Sequence, residues 1–171
     1  MPLHHLSVIP VDVRGSELGL ALNSPAPVPL AACRLDHPDG GTLVLGVLGA
    51  SHVVTVEHAT RHFSEQVSCT ARSHGGKLPE HAAAPGYSIE SRTDTHDEAM
   101  FRKLARELRE HCKAETGWLG GTFPGDDAAL TVLAAEPDGT GWRWRTWHLY
   151  PGGPGGTSGG TVVHTASRWR P

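Results

Sequence analysis

The chain predicts an α+β domain: a curved antiparallel sheet, open or partly closed, packed around one long amphipathic helix. Three observations carry that reading. Strand-like runs follow one another across tight-turn residues such as HPDGG at 37–41. One segment, 95–117, has a strong helical period. Gly141 to Pro151, GWRWRTWHLYP, alternates strictly and carries three of the chain's five tryptophans.

Taken in order, Leu6 to Val13 alternates weakly and contains Pro10, which suits an edge strand or an extended arm. Ser16 to Asn23 has helix-forming Glu, Leu and Ala and predicts a short helix, ended by the prolines of SPAPVP. Pro29 to Asp36, Thr42 to Leu48 and His52 to Glu57 read as strands joined by turns, which means antiparallel pairing. Both faces of Thr42 to Leu48 are apolar, so it is the candidate for the sheet's centre. Ser64 to Arg72 and Gly86 to Thr93 read as two more strands, with a flexible loop over 73–85. Thr95, His96, Asp97 and Glu98 form a capping-box pattern opening the long helix, which closes at Gly117. Phe101, Leu104, Ala105, Leu108 and Cys112 make its apolar stripe, and Arg102, Arg106, Arg109 and Glu110 point away. Thr122-Phe-Pro-Gly is a turn, and Leu130-Thr-Val-Leu fits either a strand or a short helix. Gly141 to Tyr150 and Thr161 to Trp169 form the last hairpin, with a flexible glycine-rich loop over 151–160.

At 171 residues the chain has the length of one domain, so 1–171 is read as a single unit. The net charge of −3 and the scattered basic residues show no footprint for nucleic acid. No apolar run approaches a membrane span. The first residues lack the pattern of a secretory leader, which predicts a cytoplasmic protein. Cys33, Cys69 and Cys112 have no pairing pattern and read as reduced thiols.

Twelve histidines raise the question of a metal. The closest spacing, His58 to His62, shares a face only on a helix, lies at a strand end and lacks the glutamate of HExxH, so no metal site is expected. The glycine-rich PGGPGGTSGG lacks the lysine and context of a phosphate loop, and no cofactor is expected. Ser51 lacks the frame of a nucleophile elbow.

Four polar residues have more to offer. His52 opens a strand and shares its face with Val54 and Val56, where an imidazole can act as acid, base or anchor. The alternative is a histidine bonded to the neighbouring turn. Glu65 shares a face with Val67 and Cys69; at a strand end it reaches water, and if buried it needs a cation, which Arg145 or His148 would supply, either in a ligand site or as a structural ion pair. Trp142, Trp144, Thr146, His148 and Tyr150 fall on one side of their strand; Arg143, Arg145, Trp147 and Leu149 fall on the other. Trp147 beside Arg145 would stack on a planar ligand, or simply pack in the core.

The segments VLGASHVV at 47–54, SEQVSC at 64–69, TFPGDDAAL at 122–130, WRTWHLYP at 144–151 and TVVHTAS at 161–167 occur in this order along nearly the whole chain. In this the chain resembles the actinobacterial domain-of-unknown-function family 2617. The resemblance implies a bacterial, single-domain, cytosolic protein and supplies no catalytic residues. The glycine-rich hairpin at 152–160 is longer than in the family pattern.

Three functions are compatible with these residues. The first is a binding module for a small polar or anionic molecule in a cleft of His52, Glu65, Arg145 and His148, with Trp147 and Tyr150 beside it and Trp142 and Trp144 as walls. The second is a hydrolase or lyase with His52 or Glu65 as general base and Arg145 steadying negative charge. The third is an interaction domain that offers the Trp142 and Trp144 face to a partner or to a second copy, as a homodimer.

Overall fold

The computed structural model describes residues 7–12, 27–48, 51–58, 61–68, 86–122, 128–152 and 159–171. The described strands form two five-stranded antiparallel sheets. The first is a simple meander of β1 (Ser7–Asp12), β2 (Pro27–Asp36), β3 (Thr42–Leu48), β4 (Ser51–His58) and β5 (Arg61–Ser68), in that order. The second contains β6 (Tyr87–His96), β7 (Trp118–Gly121), β8 (Leu130–Asp138), β9 (Gly141–Pro151) and β10 (Gly160–Trp169), in the order β6-β10-β9-β8-β7. One helix, α1 (Glu98–Ala114), links β6 to β7, which are opposite edges of that sheet.

The α+β class is therefore as expected, but the single curved sheet becomes two open ones. The meander of short turns breaks between β5 and β6, and each half closes its own hydrogen-bond ladder. β3 is the middle strand of the first sheet. Leu43, Val44, Leu45 and Val47 are all buried, as a strand apolar on both faces requires. Pro10 lies on an edge strand, where a missing N–H costs no ladder bond.

The core lies between the sheets. Leu43, Leu45, Val54, Val56 and Phe63 of the first meet Leu133, Trp142, Trp144 and Trp169 of the second. Each indole removes roughly 150–250 Å² from water. On its other face the second sheet carries α1, whose Ala105, Leu108 and Cys112 pack on Leu130, Val132, Leu149 and Val162. The layers are thus sheet, sheet, helix, and the helix covers one sheet from outside instead of being wrapped by it. Close approach is needed there: a methyl at Gly160 would stand 2.1 Å from the Phe101 ring.

Several local expectations change. The N-cap of α1 is Asp97, whose carboxylate accepts from Met100 N–H at 2.9 Å. Thr95 and His96 belong to β6. Because the third helical residue is Met100, no reciprocal capping box forms. The helix ends at Ala114, and Gly117, at φ +85°, makes the turn into β7, a strand not foreseen. β5 begins at Arg61, earlier than expected, because Glu57 and His58 continue the ladder with His62 and Arg61. Leu130-Thr-Val-Leu is strand, as part of β8. The short helix at 16–23, the loop at 73–85, residues 123–127 and most of the glycine-rich hairpin loop lie outside the described residues. No described helix is long and apolar enough to cross a membrane.

Candidate site between the sheets

Register dictates which side chains meet. Across β3, β4 and β5, Val47 lies opposite His52 and His52 opposite Val67, while Leu45 lies opposite Val54 and Val54 opposite Glu65. His52 and Glu65 are therefore diagonal neighbours on one face, a spacing that long side chains bridge. They lie among Leu45, Val47, Val54 and Val67 on that face, and they are 0% and 3% exposed. His52 Nε2 stands 3.4 Å from Glu65 Oε1. The other carboxylate oxygen accepts a hydrogen bond from Trp144 Nε1–H across the sheet interface at 3.1 Å.

The facing surface of the second sheet is graded. At one end it is aromatic, with Trp142, Trp144 and Trp169; toward the other it turns polar. Thr146 and Thr165, directly opposite each other on β9 and β10, bond through their hydroxyls. His148 Nδ1 lies 3.2 Å from Thr131 Oγ1 on β8. These four residues are 0–1% exposed. The His148 ring stacks near His52, with centroids 5.8 Å apart and planes at 27°, and beside Tyr150 at 6.4 Å. A polar lining in a sandwich interior is costly unless its groups are bonded.

Three buried groups at this place lack a well-formed hydrogen bond among the described residues: His52 Nδ1, the Tyr87 hydroxyl and the Ser167 hydroxyl. Tyr87 projects from β6, its ring 4.6 Å from Phe63 of β5. Burial, then the charge of the adjacent Glu65 and a loose hydrogen bond to it, pushes the Tyr87 hydroxyl far above the usual phenol range, and a hydrogen bond with Ser167 works weakly against this. Tyr87 therefore remains a neutral donor at any working pH. Both Glu65 and Tyr87 come from edge strands, β5 and β6, so the site lies just inside the seam where the two sheets face each other without pairing.

Four of the six residues singled out from the sequence are brought together here: His52, Glu65, His148 and Tyr150. Arg145 and Trp147 are not. They occupy the opposite, helix-side face of β9, where the Arg145 guanidinium lies 5.1 Å from the Trp147 ring centre and 6.0 Å from that of Trp118. The basic group found against Glu65 is His52, and Arg145 lies on the far face of β9. Trp142 and Trp144 are 0% and 1% exposed, so they build the core and offer no flat surface to a partner.

Tyr87 and Ser167 were not anticipated. Ser167 shares the parity of buried Val163, Thr165 and Trp169, and Tyr87 that of half-buried Ile89 and Ser91, a signal that gains meaning only once the facing sheet is known. His37 was also missed. It is buried, donates from Nε2–H to the Gly141 carbonyl at 2.9 Å and accepts from Asp39 N–H at Nδ1, and so fastens the β2–β3 turn to the start of β9. Among the described residues no cluster of three or more potential ligands is placed to hold a metal ion.

No solved structure matches the chain. Its sequence is 70% identical, over the full length of both chains, to the uncharacterized protein Rv2598 of Mycobacterium tuberculosis and the uncharacterized protein Mb2629 of Mycobacterium bovis. The profile of the family described as "Protein of unknown function DUF2617" matches residues 15–168. Coverage of nearly the whole chain by that profile, together with these relatives, places the protein in the DUF2617 family.

Proposed function

We propose that the protein binds a small polar molecule between its two sheets, in the bacterial cytoplasm. The observation that carries this reading is a buried polar cluster around Glu65 in which His52 Nδ1, the Tyr87 hydroxyl and the Ser167 hydroxyl make no close hydrogen bond to a described residue, Tyr87 having only looser contacts with Glu65 and Ser167. Each such group costs about 1–3 kcal/mol if nothing answers it. A guest that accepts from Tyr87 and Ser167 and donates to Glu65 recovers that cost. A ligand rich in hydroxyl or amide groups suits this lining; with Arg145 on the far face, an anion finds no guanidinium here. The free, buried Cys112 thiol, raised to about 11 by burial, accords with a reducing compartment.

A second reading rests on His52 itself. Its Nε2 is oriented by Glu65 while Nδ1 is unspent, an arrangement that suits a general base in a hydrolase or lyase. Tyr87 would then replace Arg145 as the group facing developing negative charge.

Thermal unfolding of the wild type and of Glu65→Gln across a panel of sugars, nucleosides, amino acids and small carboxylates tests the binding reading. A ligand at one hundred times its Kd should stabilise the wild type by about 2.7 kcal/mol. The shift should be absent in Glu65→Gln. A panel without any shift, or a shift of the same size in both proteins, would count against the site.

A further inference from the structure

On the helix-side face of the second sheet lies a concavity of about 440 Å³ walled by Arg143, Arg145, Arg168, Glu90 and Glu136, with Arg92 and His164 outside its lining. Its cations are not equivalent. Arg143 is paired with Glu136, and Arg168 with Asp138. Arg145 makes no ion pair with any described residue and rests on the Trp147 and Trp118 rings, themselves stacked at 5.4 Å and 13°. Stacking holds the guanidinium in place while leaving its N–H fork unspent.

His164 adjoins it. On β10 it lies opposite Trp147 on one side and Arg92 on the other, and one step diagonally from Arg145. Its ring is 5.2 Å from that of Trp147. The charged groups facing it are Arg92 and Asp94 from β6, which pair with each other at 2.6 Å, and Arg145 from β9. The helix approaches this side of the sheet with apolar Phe101, Leu104, Ala105 and Leu108. Burial, then Arg92 and Arg145, holds the imidazole below its usual range, and Asp94 opposes this weakly. The unfolded chain therefore takes up this proton first, and the contribution of His164 to stability is lost as pH falls from the ordinary imidazole range toward its lowered value.

We infer that Arg145, with His164 and Arg92 at its flank, forms a second site, for a small oxyanion of two negative charges, and that His164 takes up a proton when the anion binds. An anion on Arg145 offsets the repulsion from Arg92 and Arg145, the lesser contribution beside burial to holding His164 neutral, and the imidazolium then adds a third positive group to the site. Linkage requires the converse: lowering the pH tightens binding. Glu65 and His52 belong to the first sheet, and Arg145 and His164 lie on the face of the second sheet turned away from them; Trp144 and Ser167 border both places.

Sulfate is the suitable probe, since it keeps two charges throughout the range. Titration calorimetry from pH 8 to pH 5.5 should show affinity rising by about ten-fold, the amount that corresponds to one unit of change in the imidazole's pKa. Two buffers of different ionisation heat should report uptake of a fraction of a proton. His164→Gln should still bind, with a flat pH profile and no uptake. Arg145→Ala should lose sulfate binding at every pH, and its retained cooperative unfolding would show that the fold is intact. Binding by the wild type with no proton uptake would overturn the role of His164. Absence of sulfate binding, or equal binding by Arg145→Ala, would overturn the site.

Discussion

Glu65→Ala is expected to cost about 3–5 kcal/mol of stability, the usual penalty for removing one member of a buried polar pair. The carboxylate sits at 3% exposure and serves two partners at once, His52 Nε2 and Trp144 Nε1–H. Its removal leaves an indole donor and an imidazole nitrogen without partners, and a gap between the sheets besides. Glu65→Gln keeps an oxygen for Trp144 and nearly the same volume, and should lose only about 1 kcal/mol. Urea midpoints of the two variants against wild type measure this difference. A loss below 1 kcal/mol for alanine would mean that the carboxylate is answered by solvent and not by the facing sheet.

The Tyr87→Phe, Ser167→Ala double variant should move the other way. Neither hydroxyl makes a close hydrogen bond to a described residue, although Tyr87 keeps looser contacts with Glu65 and Ser167, so replacing them with apolar groups of similar shape should stabilise the ligand-free protein modestly, by about 1 kcal/mol in all. The same variant should lose the response to any compound that stabilises the wild type. Stability and binding trade against each other wherever a site holds polar groups ready for a guest. A destabilised double variant would show that the hydroxyls already have partners and that the region is structural.

Much of this was legible in the chain. The alternation of Gly141 to Pro151 sorts its residues onto two faces, and every one of them lies where parity puts it: Trp142, Trp144, Thr146 and His148 inward, Arg143 and Arg145 outward. That same parity separates Arg145 from His148. A cleft lined by both would need the strand to turn both faces to one space, and a packed sheet does not do this. What parity cannot supply is the identity of the layer on each side. His52 and Glu65 were assigned to the correct faces of their strands, but their pairing depends on β4–β5 register, and the bond from Trp144 depends on how two sheets stack. β7 escaped notice because Trp118-Leu-Gly-Gly is short and glycine-rich, and its place at a sheet edge comes from pairing with β8. The capping box misled because Thr95 and Glu98 have the right spacing, while Asp97 has the better position to meet the first free N–H groups.

The central claim is that the ligand enters between the sheets, and the five indoles divide neatly around it. Trp144 bonds to Glu65 inside, and Trp142 and Trp169 pack beside it in the core, whereas Trp118 and Trp147 lie on the helix side. The most direct measurement is the proton–nitrogen NMR spectrum of the indole N–H groups during titration with each panel compound. The account predicts that a stabilising compound displaces the Trp144 resonance and leaves Trp118 and Trp147 in place. Movement confined to Trp118 and Trp147, or no movement with any compound, would contradict it.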